Sequence, residues 1–270
     1  MSRTTSGPRV PAQRSVLRAV ALPSEHGGWG LTAEPVLLGL LVRPSLSGVL
    51  FGAAAVTAFL ARAPLKLALV DRWRRRRLPR TVVAERIAAG ELALLGVLLA
   101  AAALRAQSFW WLPLVVALPL VGVEMWFDMR SRSRRLTPEL CGAVGIASVA
   151  AAIARAGGAG WAVSASLWVV LAARSIGTVP VVRAHVLRAR GRAIRTGRLW
   201  VPEVLAVMLG IAAWLAGGLP WVAVAALVAV SAWSLWSLRR PPLPVKVLGV
   251  TQMAVGFALV LVTAGAIRLR

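Results

Sequence analysis

Hydrophobic positions along this chain fall into long, nearly unbroken runs, with polar residues gathered between them. Nine such runs lie near 26–43, 46–70, 84–105, 108–128, 137–156, 159–182, 200–217, 219–238 and 246–267. Each matches the roughly 17–25 residues a helix needs to cross a hydrocarbon core of about 30 Å. A membrane β-barrel would show shorter, alternating segments. Lipid-exposed backbone must satisfy its hydrogen bonds within each segment, so continuous runs of this length predict helices. The pattern therefore predicts an all-α, polytopic membrane bundle of about nine transmembrane helices. The first run is the least regular, because HGGWG opens it and Glu34-Pro35 interrupts it.

The polar punctuation is strongly uneven. ARAPLKLALVDRWRRRRLPR (61–80), VGVEMWFDMRSRSRR (121–135) and RSIGTVPVVRAHVLRARGR (174–192) each carry an apolar span into an arginine-rich loop. Gaps after the second, fourth, sixth and eighth runs are basic, whereas the alternate gaps hold one arginine or none. Positively charged loops stay in the cytosol. The asymmetry therefore predicts a cytosolic N-terminus, an outside C-terminus and a place in the cytoplasmic membrane. Residues 1–22 hold four arginines and no sustained apolar stretch, so they read as a basic cytosolic tail before one transmembrane domain over 23–270.

Composition agrees with the periodicity: 59% of the 270 residues are hydrophobic and only 15% charged. The net charge of +23 would suit nucleic acid if it formed one soluble face. Here it is divided among loops, which points to anionic lipid headgroups or phosphate-bearing substrates and away from nucleic acid. A single cysteine, Cys141, excludes an intrachain disulfide. No zinc spacing, phosphate-binding glycine loop, nucleophile elbow or haem-attachment motif occurs.

Candidate chemistry lies in the ionisable residues at membrane depth. Such residues are costly there and face a cavity or a partner. Glu124 and Asp128 are four residues apart, on one helical face, and could hold a divalent ion if a second acidic helix opposed them. Arg130 and Arg132 offer simple neutralisation instead. His26 and Glu34 share a face over two turns with Trp29 beside them; His26 is a candidate general acid or base, against the commoner role of a hydrogen-bonded interfacial histidine. Asp71 closes the list of candidate catalytic carboxylates. Lys66 lies within the second run and Arg174 within the sixth; with Arg72 and Arg183 they form a candidate anion-binding set. Ion pairing with nearby acids is the competing account. Pro35, Pro64, Pro119 and Pro180 fall inside runs, towards the basic side, and suggest a cavity opening there. Trp110-Trp111, Trp161, Trp200 and Trp221 sit near run ends as interfacial anchors.

The opening LPSEHGGWGLTAEPVLLGLL (22–41), with its Pro-x-x-His-Gly-x-Trp pattern, resembles the hallmark of the YwiC-like integral membrane family. ARSIGTVPVVRAHVLRARGR (173–192) is also similar to that family. The resemblance implies a polytopic membrane protein and no particular reaction. More distantly, the order of features resembles the UbiA-type prenyltransferase superfamily. Those features are Pro35, RRRRLPRTVVAERIAAGE (74–91) and RSRRLTPELCGAVG (132–145). That likeness implies a UbiA-like bundle handling an isoprenoid or other phosphate-bearing lipid. The aspartate-rich motifs that hold magnesium in that superfamily are depleted here. Only Asp71 remains of the first, and RSIGTVPVVR (174–183) replaces the second without a carboxylate. No cofactor is therefore expected; magnesium is conceivable but disfavoured. Two readings follow: a divergent lipid or isoprenoid transferase with a diphosphate site, or a non-catalytic binding, transport or assembly protein.

Overall fold

The computed structural model describes residues 26–130, 132 and 135–270, with side chains described from Gly28 onward. The expected basic tail and the side chain of His26 lie outside the described residues. Within them the chain is helical and contains no strand. The helices are α1 (His26–Val42), α2 (Leu46–Trp73), α3 (Pro79–Ala103), α4 (Trp111–Met129) and α5 (Leu136–Ala156). They continue with α6 (Trp161–Ala189), α7 (Trp200–Leu215), α8 (Trp221–Ser237) and α9 (Val245–Arg268). A short 3-10 turn, Thr196–Leu199, leads into α7. This is a polytopic helical membrane protein.

Seven of the nine are long and apolar enough to cross a membrane, α7 together with its leading 3-10 turn. α1 and α8 are equally apolar but have 17 residues each. At about 1.5 Å per residue they fall a few ångströms short of a full hydrocarbon core. In contrast, α2 and α6 run to 28 and 29 residues and outlast their apolar runs at the basic end. Helix formation needs backbone hydrogen bonds and not apolar side chains, so these helices continue past the point where hydropathy falls. α3 begins at Pro79, five residues before its apolar run, because proline suits a first helical position. The interior prolines Pro35, Pro64, Pro119 and Pro180 are accommodated within continuous helices.

Successive helices run up and down. Ser47 Oγ and Gln107 N both donate to Ala156 O, gathering the α1–α2, α3–α4 and α5–α6 connections at one end. Arg270 Nη1 donates to Gly217 O, bringing the α7–α8 turn and the end of α9 together. The arginine-rich connections therefore occupy the opposite end, here the basic end. α4, α6, α7 and α8 each begin on a tryptophan.

Burial sorts the helices into centre and periphery. The apolar stretch of α6 is 67% buried, against 11% for α3 and 17% for α4. α5 presents Ala147, Ala150, Ala151 and Ala154 to the core, and small residues let helix backbones approach closely. Gly39 of α1 packs against Ile153 and the Ala150 carbonyl with no space for a side chain. α3 packs chiefly on α2, and α4 on α5. At the end opposite the basic one, Leu99 and Ala102 of α3 and Leu114 of α4 pack into one cluster with Phe51 and Ile153. α4 also lies along α2, and the Arg62 and Lys66 side chains stay partly exposed on this line of contact, the α2–α4 groove.

Candidate functional site

The groove is charged along its floor. α2 and α4 both run towards the basic end, so a four-residue step on one faces a four-residue step on the other. Arg62 Nη2 lies 2.6 Å from Glu124 Oε1 and 3.1 Å from Asp128 Oδ2. One turn further on, Lys66 Nζ lies 3.1 Å from Asp128 Oδ1. The ladder is formally neutral, two cations against two carboxylates. Asp128 is 1% exposed, whereas the Arg62 and Lys66 side chains remain 32% and 27% exposed along the groove. Gly142 of α5 makes room for the Glu124 carboxylate, which a Cβ at that position would overlap.

Towards the basic end the ladder gives way to a cavity of about 320 Å³ lined by Trp73, Arg74, Met129, Arg130 and Arg132. Arg130 stacks over Trp126 at 4.0 Å from the ring centroid and reaches towards Trp73 at 5.9 Å. Such stacking holds a guanidinium in place while leaving its N–H edges directed outward. Trp73 does not stand out in sequence, and Arg130, read there as a neutralising partner of Glu124 and Asp128, stacks on Trp126 instead, while Arg62 and Lys66 pair with those acids. The signal for Arg62 was its position four residues before Lys66, matching Glu124 and Asp128.

Asp71 has a different setting. Its Oδ2 accepts from Thr81 Oγ1 at 2.7 Å, and Arg80 Nη2 lies 3.5 Å from Oδ1. Thr81 Oγ1 in turn accepts from Leu78 N at 3.1 Å. Asp71 therefore latches the α2–α3 connection. Arg75 adopts a left-handed conformation (φ 52°) there, and Arg76 N donates back to Asp71 O, finishing α2.

Glu34 and Arg174 meet at the junction of α1, α6 and α9. Arg174 Nη1 donates to Glu34 Oε2 at 2.8 Å, with each side chain 4% exposed. Arg174 Nη2 donates to the Gln252 carbonyl at 2.6 Å. Gly256 supplies the space, since a Cβ there would overlap both the carboxylate and the guanidinium. The remaining expected cations are divided between other seams. Arg72 pairs with Glu85 at 2.7 Å between α2 and α3, and Arg183 with Glu139 at 3.3 Å between α6 and α5. Lys66, Arg72, Arg174 and Arg183 thus belong to four ion pairs on four helix seams. Trp29 is 43% exposed and stands edge-on to Phe59, 5.0 Å between centroids, away from the α2–α4 cavity.

Among the described residues, buried Glu203, His185 and Arg155 were not in the candidate set. Glu203 of α7 and His185 of α6 are each 2% exposed, on the seam shared with α8. Among the described residues no cluster of three or more His, Cys, Asp or Glu side chains is placed to hold a metal ion.

Residues 22–154 match the family model described as YwiC-like protein. This is just under half of the chain; it includes Glu34 and the whole α2–α4 ladder and ends before Arg174. No curated protein and no solved structure matches the chain.

Proposed function

We propose that the chain is a YwiC-like integral membrane protein that binds a phosphate-bearing amphiphile, a lipid or isoprenoid phosphate, at the basic end of the α2–α4 groove. The observation that carries this reading is the continuity of the site. An arginine- and tryptophan-lined cavity opens at the ends of α2 and α4, next to the partly exposed Lys66 and Arg62. Guanidinium groups complement phosphate, indole rings suit the headgroup boundary, and the exposed apolar residues Val115 and Leu118 of α4 suit a hydrocarbon tail. The arginines of the basic end favour the cytosolic side, which supports a site at the inner leaflet of the cytoplasmic membrane.

Binding without catalysis is the better-supported class. The carboxylates that a magnesium–diphosphate mechanism would need are engaged otherwise: Asp128 with Arg62 and Lys66, and Asp71 with Thr81. Transfer chemistry would require Glu124 and Asp128 to exchange their cations for a metal.

Lipid mass spectrometry on gently purified protein tests the binding. A phosphate-bearing lipid is expected to co-purify, and to be depleted when Arg130→Gln and Arg132→Gln are combined. At about 1 kcal/mol per arginine near an anionic surface, the double variant loses affinity roughly thirtyfold. Recovery of neutral lipids alone, or unchanged recovery in the double variant, overturns the proposal. Diphosphate release from a prenyl diphosphate with magnesium, abolished by Asp128→Asn, would establish the transferase class.

A further inference from the structure

Away from the groove, α7 turns one apolar face outward. The 3-10 turn Thr196–Leu199 leads directly into α7 at the basic end. α7 packs on α6 and α8, and Glu203, its only ionisable residue, points inward against Gly177. On the opposite side Trp200, Val201, Val204, Leu205 and Met208 line an open hollow of about 420 Å³. Their spacing is that of a single helical face. All five are between 48% and 70% exposed, so no other described helix covers the hollow.

The end of this face nearest the basic loops is cationic. Arg195 caps the 3-10 turn and Arg198 lies within it; both are exposed. Residues three apart in such a turn eclipse each other, so the two side chains leave it on one side. Arg198 in turn precedes Val201 by three residues, which sets the pair at the mouth of the hollow. Neither arginine belongs to an ion pair among the described residues. From residue 140 to the end of the chain, Glu203 is the only acidic side chain, and it is buried. Neighbouring loops of this half therefore supply no counter-charge. The α2–α3 connection differs, because Asp71 and Glu85 answer Arg80 and Arg72 there. The arginines also have a fixed base: Ile194 and Leu199 pack against Val181, Ala184, Leu235 and Leu238.

We propose that this face of α7 seats an anionic membrane phospholipid, with its phosphate at Arg195 and Arg198 and an acyl chain in the hollow. Charge complementarity selects the occupant. Guanidinium groups bind phosphate through paired N–H donors, and a net anionic headgroup supplies the counter-charge that the chain lacks here. A zwitterionic lipid brings its own cation to the same place. A second copy of the chain, related by a two-fold axis along the membrane normal, would set the same arginines against each other. The indole of Trp200, 54% exposed between the arginines and the hollow, suits the boundary between headgroup and tail. The seat lies on a different helix from the α2–α4 groove and does not depend on the reading of that site.

Quenching of tryptophan fluorescence by lipids with dibrominated acyl chains tests it, on the full chain in nanodiscs. The Trp200 signal is the difference between the parent and Trp200→Phe. Dibrominated phosphatidylglycerol should quench that signal with an apparent affinity at least about fivefold above that of dibrominated phosphatidylcholine. Combining Arg195→Gln with Arg198→Gln should bring the two lipids level, whereas Arg195→Lys with Arg198→Lys should keep most of the preference. In the parent alone the preference should shrink as salt is raised, which covers the case in which the glutamine pair does not fold. Equal quenching by the two lipids in the parent, a preference unchanged in the glutamine pair, or one indifferent to salt overturns the proposal. Loss of the preference to inorganic phosphate at constant ionic strength would assign the arginines to a free anion. A Trp200 signal that neither lipid quenches would show the hollow covered by protein, and either result also overturns the seat. Arg130 and Arg132 stay unchanged throughout, so this site and the groove stand or fail separately.

Discussion

Gly256 permits the most deeply buried ion pair in the bundle, because only the absence of a side chain there lets Glu34 and Arg174 meet beside α9. Gly256→Ala is expected to destabilise the protein by about 1–3 kcal/mol, the usual range for overpacking. Gly249 lies on the same helix with nothing near its would-be side chain. Gly249→Ala should be neutral, or stabilising by up to about 1 kcal/mol through reduced chain entropy. Melting temperatures in one detergent check the contrast; equal effects would deny the cradle. Arg174→Met strands a buried carboxylate and should cost about 3–5 kcal/mol, much of it recovered on adding Glu34→Leu. A double-mutant cycle measures that recovery, and simple additivity of the two losses would show that the residues are not coupled.

Among the elements, the α2–α3 connection is the one most tightly specified by polar contacts. Asp71, Thr81 and Arg80 join the two helices where both have left the apolar stretch. A hydrogen bond to a charged group contributes about 1.5–3 kcal/mol, so Asp71→Ala should lower stability by that order. The loss is expected to remain local. Hydrogen exchange should speed up across residues 71–81 and leave α6 unchanged, whereas a change spread over the bundle would contradict a local latch. The groove itself arises at this scale. α3 and α4 are peripheral helices that pack chiefly on different partners, α3 on α2 and α4 on α5. Exposed Leu94 and Val97 of α3, and Val115 and Leu118 of α4, are suited to lipid instead.

For the whole molecule, the alternation of basic and nearly uncharged connections predicts sidedness. Reporter fusions after Arg80 and Arg195 should report cytosol, and a fusion at Arg270 the outside; an outside signal from either inner loop would invert the proposed placement of the groove. The hydropathy runs determined that the chain is a helical membrane protein, how many long helices its described residues form and which connections share an end. Those properties depend on local segment length and on loop charge, both readable without knowing any neighbour. Helix ends were less legible at α2, α3 and α6, because helices continue into water on backbone hydrogen bonds after hydropathy falls. Glu124 and Asp128 could be placed on one helical face from their spacing alone. That Arg62 and Lys66 oppose them, that Arg174 reaches Glu34 across 140 residues, and that Glu203 fills the space beside Gly177 were decided only by tertiary packing. A charge at membrane depth requires a partner, but the sequence does not say which helix supplies it. That choice depends on where glycine and alanine let backbones approach, as at Gly142, Gly177 and Gly256.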